Sequence, residues 1–172
     1  MSQVSILYAA AVLVVWMTAR VSSSRPFRLW IYLAASWLFY FSLDARFPLL
    51  VLSSVFNYYY GRLIRRQPRV GLLWAGALVN VALLGVFKYL PAFQALFPDS
   101  PFWQHVRQIA LPLGLSFWTF QALSYLFDQY RGDETRPSLG EFCLYMGFAP
   151  TVMSGPICRV GDLVPQFRAP FA

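Results

Sequence analysis

The sequence is poor in charge. Charged residues make up only 12% of its 172 positions, about half the share of roughly 25% found in globular domains. Hydrophobic residues make up 58% and aromatic residues 19%. A soluble domain of this length cannot bury so much apolar surface, so the composition predicts an integral membrane protein whose first partner is the lipid bilayer.

Cysteine and histidine are also scarce. The chain has two cysteines, which form no CxxC pair, and a single histidine, His105, in "PFWQHVRQ". These numbers predict no structural metal site. GxSxG, P-loop, HExxH and GxGxxG motifs are absent, and no nucleophile motif accompanies His105. We therefore predict no catalytic residue from motifs.

Acidic residues are outnumbered, with 7 Asp and Glu against 14 Lys and Arg. The basic residues lie between apolar runs, which indicates membrane topology and not nucleic-acid binding. Nine of them fall in alternate loops: Arg20, Arg25, Arg28, Arg62, Arg65, Arg66, Arg69, Arg131 and Arg136. The loops between hold only Arg46, Lys88 and Arg107. Because cytoplasmic loops collect basic residues, the first, third and fifth loops are predicted to be cytoplasmic. The N-terminus, which lies across the membrane from the first loop, is therefore predicted to be outside.

Apolar stretches define the expected fold, an all-α polytopic transmembrane bundle within one membrane domain, residues 1–172. Six stretches cover residues 4–19, 29–43, 48–61, 70–89, 109–130 and 142–157. We expect about five spans, with prolines breaking the chain from Pro91 onward. The sixth stretch contains two glycines and two prolines, which favours a broken or re-entrant segment. The second and third stretches are short, roughly 22 Å of helix each, and suit either two spans or one hairpin that does not cross.

Polar residues interrupt "LPLGLSFWTFQALSYLFDQYRG", residues 111–132. Gln121, Ser124 and Asp128 are spaced three and four apart, so a helix places them on one face. Such a stripe suits a substrate path inside a bundle. It equally suits hydrogen bonds between helices, with Asp128 at the membrane interface near Arg131.

Two further polar residues lie within or at the end of apolar stretches. Asn57 in "FNYYYGRLI" is either a hydrogen-bonding residue between helices or part of a substrate path. Lys88 in "FKYL" is either a side chain that reaches the membrane interface or a path residue. Both stay candidates for the site.

Four strings occur in an order that resembles the N-terminal half of a membrane-bound O-acyltransferase. They are "FNYYYGRLI", "FKYL", "LPLGLSFWTFQALSYLFDQYRG" and "FAPTVMSGPICRVGDLVPQ". The resemblance covers residues 50–168 and is strongest for the bacterial subgroup of alginate O-acetylation and teichoic-acid D-alanyl transfer proteins. It implies a ring of helices around a tunnel in the bacterial inner membrane. It also implies transfer of an acyl group, from acetyl-CoA or an acyl carrier protein, to hydroxyls of an exported polymer or to a periplasmic partner transferase.

The resemblance also implies site residues and a missing one. Residues at matched positions would shape the tunnel and its cytoplasmic donor entrance: Gln121, Asp128, Tyr130, Arg131, Gly155, Pro156 and Arg159. The family histidine follows the "SGPI" string, and no histidine follows His105 here. We therefore expect the N-terminal portion of a longer enzyme, which needs a C-terminal half or a complementing chain for catalysis. The alternative is a non-catalytic membrane subunit or transporter-like module, because a channel-lining half shows the same features.

Overall fold

The structure is a computed structural model that describes residues 13, 25–44, 46–96, 112–148, 151 and 158–169, with the backbone only at residues 25 and 90–96. Six helices of at least nine residues lie in this part of the chain: α1 Arg25–Leu43, α2 Phe47–Arg66, α3 Val70–Leu96, α4 Leu115–Arg131, α5 Leu139–Gly147 and α6 Val160–Arg168. The described residues contain no strand. The predicted all-α class is confirmed.

Four of the predicted apolar stretches form the four long helices, with different ends. Helix α2 continues to Arg66, so three of the four arginines assigned to the following loop lie in its last turns, and Arg69 alone lies in the connection. Arginine is a good helix former, and positive charge suits a helix C-terminus. The first predicted stretch, residues 4–19, lies outside the described helices.

The predicted break at Pro91 is wrong, because α3 continues through this proline to Leu96. Proline removes one backbone donor, a loss that membrane helices tolerate when neighbouring groups compensate for it. Helix α6 was not predicted. This short helix buries only Val160, Leu163 and Val164. Its polar residues and the internal Pro165 gave no apolar run that would have predicted it.

Helix α4 begins later than predicted, at Leu115 in place of residue 109. Gly114 has φ 70°, a left-handed conformation that suits glycine, and Pro112 therefore lies before the helix. The amide of Leu115 donates to the Pro112 carbonyl at 3.1 Å. Gly132, with φ 85°, ends the helix and donates to carbonyls of its last turn.

Helix α4 is the most buried of the four long helices, and it packs against α2, α3 and α5. Its fully buried side chains face several neighbours and include Trp118, Ala122, Tyr125 and Leu126. A helix buried on most of its faces is a core helix of the bundle. This position explains why its polar residues are enclosed by protein.

Close contacts of glycine with tyrosine fix the spacing of these helices. A Cβ built on Gly61 of α2 would lie 2.3 Å from Cε1 of Tyr125 on α4. A Cβ on Gly76 of α3 would lie 2.4 Å from Cε1 of Tyr60 on α2. Glycine is therefore required at both positions for the observed interhelical distances.

The connections between helices meet at two opposite ends of the bundle. At the C-terminal end of α2, Arg65 donates to the carbonyls of Asp133 and Thr135, which follow α4. Beyond the N-terminal end of α2, the Asp44 carboxylate accepts from the Leu113 amide at 2.8 Å. Since α2 has 20 residues, these ends are about 30 Å apart.

Among the described residues, one helix is long and apolar enough to cross a membrane by length and composition. It is the 20-residue stretch Val70–Tyr89 of α3, most of which is not buried by the described residues. Trp74 and Leu78 are more than half exposed. This stretch therefore presents an apolar surface outward, unlike the core helix of a soluble protein.

Replacing Gly61 by alanine tests the packing of α2 on α4. Gly61→Ala should lower stability by about 1–3 kcal/mol, because the new methyl group displaces the buried Tyr125 ring. The control Gly85→Ala places a methyl group where nothing lies within 4 Å, and it should stabilise by up to about 1 kcal/mol. Thermal unfolding in detergent measures both. Equal stability of the two variants would contradict this packing.

Candidate functional site

A polar seam lies where α4 meets α5 and the start of α6; it consists of Gln121, Asp128, Tyr145 and Arg159. The Gln121 amide nitrogen is 3.5 Å from the Tyr145 carbonyl. The Tyr145 hydroxyl donates to the Cys158 carbonyl at 2.9 Å and lies 3.3 Å from the Gln121 carbonyl. Gln121 and Tyr145 are fully buried. The seam therefore links three elements through side chains inside the protein.

Asp128 forms the charged end of the polar seam. Its Oδ1 atom lies 3.6 Å from Nη1 of Arg159, whose side chain is 62% exposed while that of Asp128 is 10% exposed. The sequence suggested a position of Asp128 near Arg131, which lies one turn away on α4 and is exposed. Asp128 thus pairs with Arg159, the residue that precedes α6. The arginine side chain of this pair is accessible from the surface, whereas the carboxylate is buried.

Two oxygen atoms of the seam have no hydrogen-bond partner. Within the part of the chain that the structure describes, Oε1 of Gln121 and Oδ2 of Asp128 are buried and unpaired. A buried polar atom without a partner costs about 1–3 kcal/mol. Four other buried side-chain atoms in the described residues share this state, Oη of Tyr32 and Tyr40 and Nε1 of Trp37 and Trp118, so it is the neighbouring charge of Asp128 that distinguishes the seam.

The other predicted site residues fall in several places. Ser124 and Tyr130 are half-buried on α4, and Tyr130 packs against the hydrophobic core. Lys88 is exposed, with Nζ 5.8 Å from the centroid of the Tyr89 ring. Gly155 and Pro156 lie outside the described residues. The structure therefore brings together Gln121, Asp128 and Arg159, while Lys88 lies towards the C-terminal end of α3.

Asn57 belongs to an amide pair between α2 and α3. Nδ2 of Asn57 donates to Oδ1 of Asn80 at 3.1 Å, and Nδ2 of Asn80 donates to Oδ1 of Asn57 at 2.8 Å. Each amide also donates to a carbonyl of its own helix, that of Ser53 or Gly76, at 2.9 Å. Both side chains are buried and satisfied. This favours a hydrogen bond between helices over a substrate contact.

A second polar feature was not predicted, a cavity of about 290 Å³ that we call the arginine pocket. Its lining residues come from α2, α4 and the segment that follows α4: Tyr58, Arg62, Arg65, Arg66, Tyr125, Gln129, Arg136 and Pro137. The sequence prediction assigned these arginines to topology alone. Their spacing of three and four on one helix was the available signal that they share a face.

The wall of the arginine pocket is held by hydrogen bonds to backbone carbonyls. Arg65 donates to the carbonyls of Asp133 and Thr135. Arg168 of α6 donates to the Arg136 carbonyl at 2.8 Å. No three His, Cys, Asp or Glu residues converge in the described chain as a metal site would require. The groups available to a ligand here are guanidinium, hydroxyl and amide groups.

Glu141 anchors this wall to the start of α5. Its carboxylate accepts from the Ser138 amide at 2.7 Å, and the Ser138 hydroxyl accepts from the Glu141 amide at 3.3 Å, which completes a capping box. Arg168 donates to both carboxylate oxygens, at 2.7 and 2.8 Å. These hydrogen bonds hold the pKa of Glu141 below its usual value and raise the pKa of Arg168. The Ser-x-x-Glu spacing was a readable sequence signal that the prediction missed.

The lowered pKa of Glu141 makes stability depend on pH. Its contribution is complete above the pKa of an unfolded glutamate and is lost as the pH falls through the lower folded pKa. Glu141→Gln should cost about 1–2 kcal/mol at neutral pH, and this difference should shrink in acid. Melting temperatures in detergent across a pH series measure it, with the exposed Glu134→Gln as control. A difference independent of pH would contradict the ion pair.

Several curated proteins resemble this chain. A probable alginate O-acetylase AlgI of Azotobacter vinelandii is 36% identical over 161 residues, 85% of this chain and 32% of the relative. The protein of the same name from Pseudomonas aeruginosa is 34% identical over 160 residues, 85% of this chain and 30% of the relative. A peptidoglycan O-acetyltransferase of Helicobacter pylori is 31% identical over 173 residues, 82% of this chain and 32% of the relative.

These matches cover most of this chain but only part of each relative. The chain spans about a third of the length of the three relatives. No family model and no solved structure matches it. The relatives share O-acetyl transfer although their named polymers differ. With the four ordered strings of the sequence, this similarity identifies the chain as a member of the membrane-bound O-acyltransferase family.

Proposed function

We propose that the chain forms part of an enzyme that transfers an acetyl or other acyl group to hydroxyls of an exported polysaccharide or cell-wall polymer. One observation carries the proposal. Relatives named for alginate and for peptidoglycan each match more than four fifths of the chain. Because these polymers are chemically unlike, the shared part serves the acyl transfer and not the choice of polymer.

The proposed setting is the bacterial inner membrane, with α1 to α4 crossing it. These helices have 19, 20, 27 and 17 residues, or about 25–40 Å of length. Large apolar side chains are exposed on each of them, for example Trp30, Leu52, Trp74 and Phe120. Outward apolar surface on all four supports a multi-pass bundle in lipid.

The proposed orientation places the arginine pocket on the cytoplasmic side and the N-terminus outside. Two of the predicted basic loops meet at this end, through the bonds from Arg65 to the segment after α4. Asp44 and Leu113 meet at the other end, where basic residues are few. This separation of charge agrees with the excess of arginine and lysine in cytoplasmic loops.

The proposed role of the polar seam is to form one wall of the acyl-transfer tunnel. Oε1 of Gln121 and Oδ2 of Asp128 can each accept a hydrogen bond from water or from a hydroxyl group of a substrate. Arg159 would hold the Asp128 carboxylate in place.

The donor, acetyl-CoA or an acyl carrier protein, would approach from the cytoplasmic side. The catalytic base would come from the rest of a longer enzyme or a complementing chain, and a periplasmic transferase would receive the acyl group.

A chimera tests the proposed function. In the chimera, this chain replaces the matching segment of the Azotobacter vinelandii alginate O-acetylase. The chimera is expressed in a strain that lacks its own alginate O-acetylase. We expect the exported alginate to carry O-acetyl groups, because the segment serves acyl transfer in any family member. The ester content of the polymer is the measurement, and the intact relative and an empty vector are the reference strains.

A control chimera carries Ala75→Ser on the exposed apolar face of α3. It should acetylate alginate as well as the chimera without this change. A chimera that inserts in the membrane at normal levels but leaves alginate unacetylated would contradict the proposal. That result would favour the non-catalytic membrane module suggested by the sequence.

A further inference from the structure

We infer that the arginine pocket is a binding site for a phosphate ester group. Four arginines converge on it, Arg62, Arg65 and Arg66 from α2 and Arg136 from the segment after α4. Its lining residues include no carboxylate. Guanidinium groups are positively charged and repel one another, and a bound anion relieves that repulsion.

Membrane topology alone does not explain this convergence. The excess of basic residues at one end requires only that they lie on the cytoplasmic side. Arg69 and Arg131 satisfy that requirement without lining the pocket. The pocket arginines come from parts of the chain 70 residues apart, Arg66 and Arg136, and the fold directs both to one cavity.

Two of the four guanidinium groups are available to a ligand. Arg62 donates to the Tyr58 hydroxyl at 3.1 Å, and Arg65 donates to two carbonyls. In the described residues, no hydrogen bond or ion pair engages the side chain of Arg66 or Arg136. A guanidinium group binds two phosphate oxygens at once, which suits a phosphate held between Arg66 and Arg136.

The floor of the pocket supplies further hydrogen-bonding groups. Tyr58, Tyr125 and Gln129 line it and are buried, while Arg62, Arg66 and Arg136 are exposed at the rim. A volume of about 290 Å³ lies at the small end of ligand pockets, which run from about 300 to 1,000 Å³. The space therefore suits a phosphate head group. The group can belong to an anionic lipid or to a soluble phosphate ester.

The test uses two probes on the 172-residue chain purified in an uncharged detergent. Inorganic pyrophosphate is titrated by calorimetry. Separately, the chain is extracted from vesicles of phosphatidylcholine with or without phosphatidylglycerol, and native mass spectrometry counts the lipid that stays bound. The variants are Arg66→Gln and Arg136→Gln, which lose no observed hydrogen bond and should fold. Arg69→Gln is the control, since it changes the charge equally outside the pocket.

We expect one probe to bind the wild type and the control, and each pocket variant to bind it about tenfold more weakly, the effect of one charge-assisted hydrogen bond. Pyrophosphate showing this pattern identifies a soluble ester, and retained phosphatidylglycerol identifies a lipid. Equal binding by the pocket variants and Arg69→Gln, or no binding by the wild type, overturns the inference. The two probes measure binding and not acyl transfer, so failure of the chimera leaves the inference standing.

Discussion

The absence of a side chain at Gly61 lets α2 approach the Tyr125 ring of α4, and other features follow from this contact. A Cβ at Gly61 would come within 2.3 Å of that ring. The approach places the last turns of α2 beside Tyr125 and Gln129, so its arginines surround a cavity. It also holds α4 in the centre, where Gln121 reaches α5. One steric constraint thus positions both the arginine pocket and the polar seam.

Two groups of buried polar residues in this apolar protein have different physical consequences. The Asn57–Asn80 pair satisfies both amides and ties α2 to α3. In the described chain, the seam instead leaves Oε1 of Gln121 and Oδ2 of Asp128 buried and unpaired. A satisfied pair stabilises packing, whereas an unpaired buried oxygen lowers stability. Hydrogen bonding therefore distinguishes the asparagine pair from the seam, although both are buried and polar.

Local sequence patterns predicted the long helices but not the features formed between them. Apolar runs placed α1 to α4, and the helical spacing of Gln121 and Asp128 put both on a buried face. The arginine pocket escaped prediction because Arg136 reaches α2 only through the fold. The bond between Arg168 and Glu141 joins residues 27 apart and was equally inaccessible. Pro91 misled the prediction, since tertiary context outweighed its tendency to end a helix.

The central claim is that the unpaired seam oxygens serve acyl transfer while the asparagine pair serves packing. The direct measurement is O-acetyl transfer per folded molecule in the chimera carrying Gln121→Leu, compared with Asn80→Leu. Gln121→Leu should fold normally and lose roughly tenfold in transfer, as removal of one hydrogen bond in a tunnel wall would cause. Asn80→Leu should melt earlier yet keep its transfer rate when folded. Full transfer by Gln121→Leu would contradict the account.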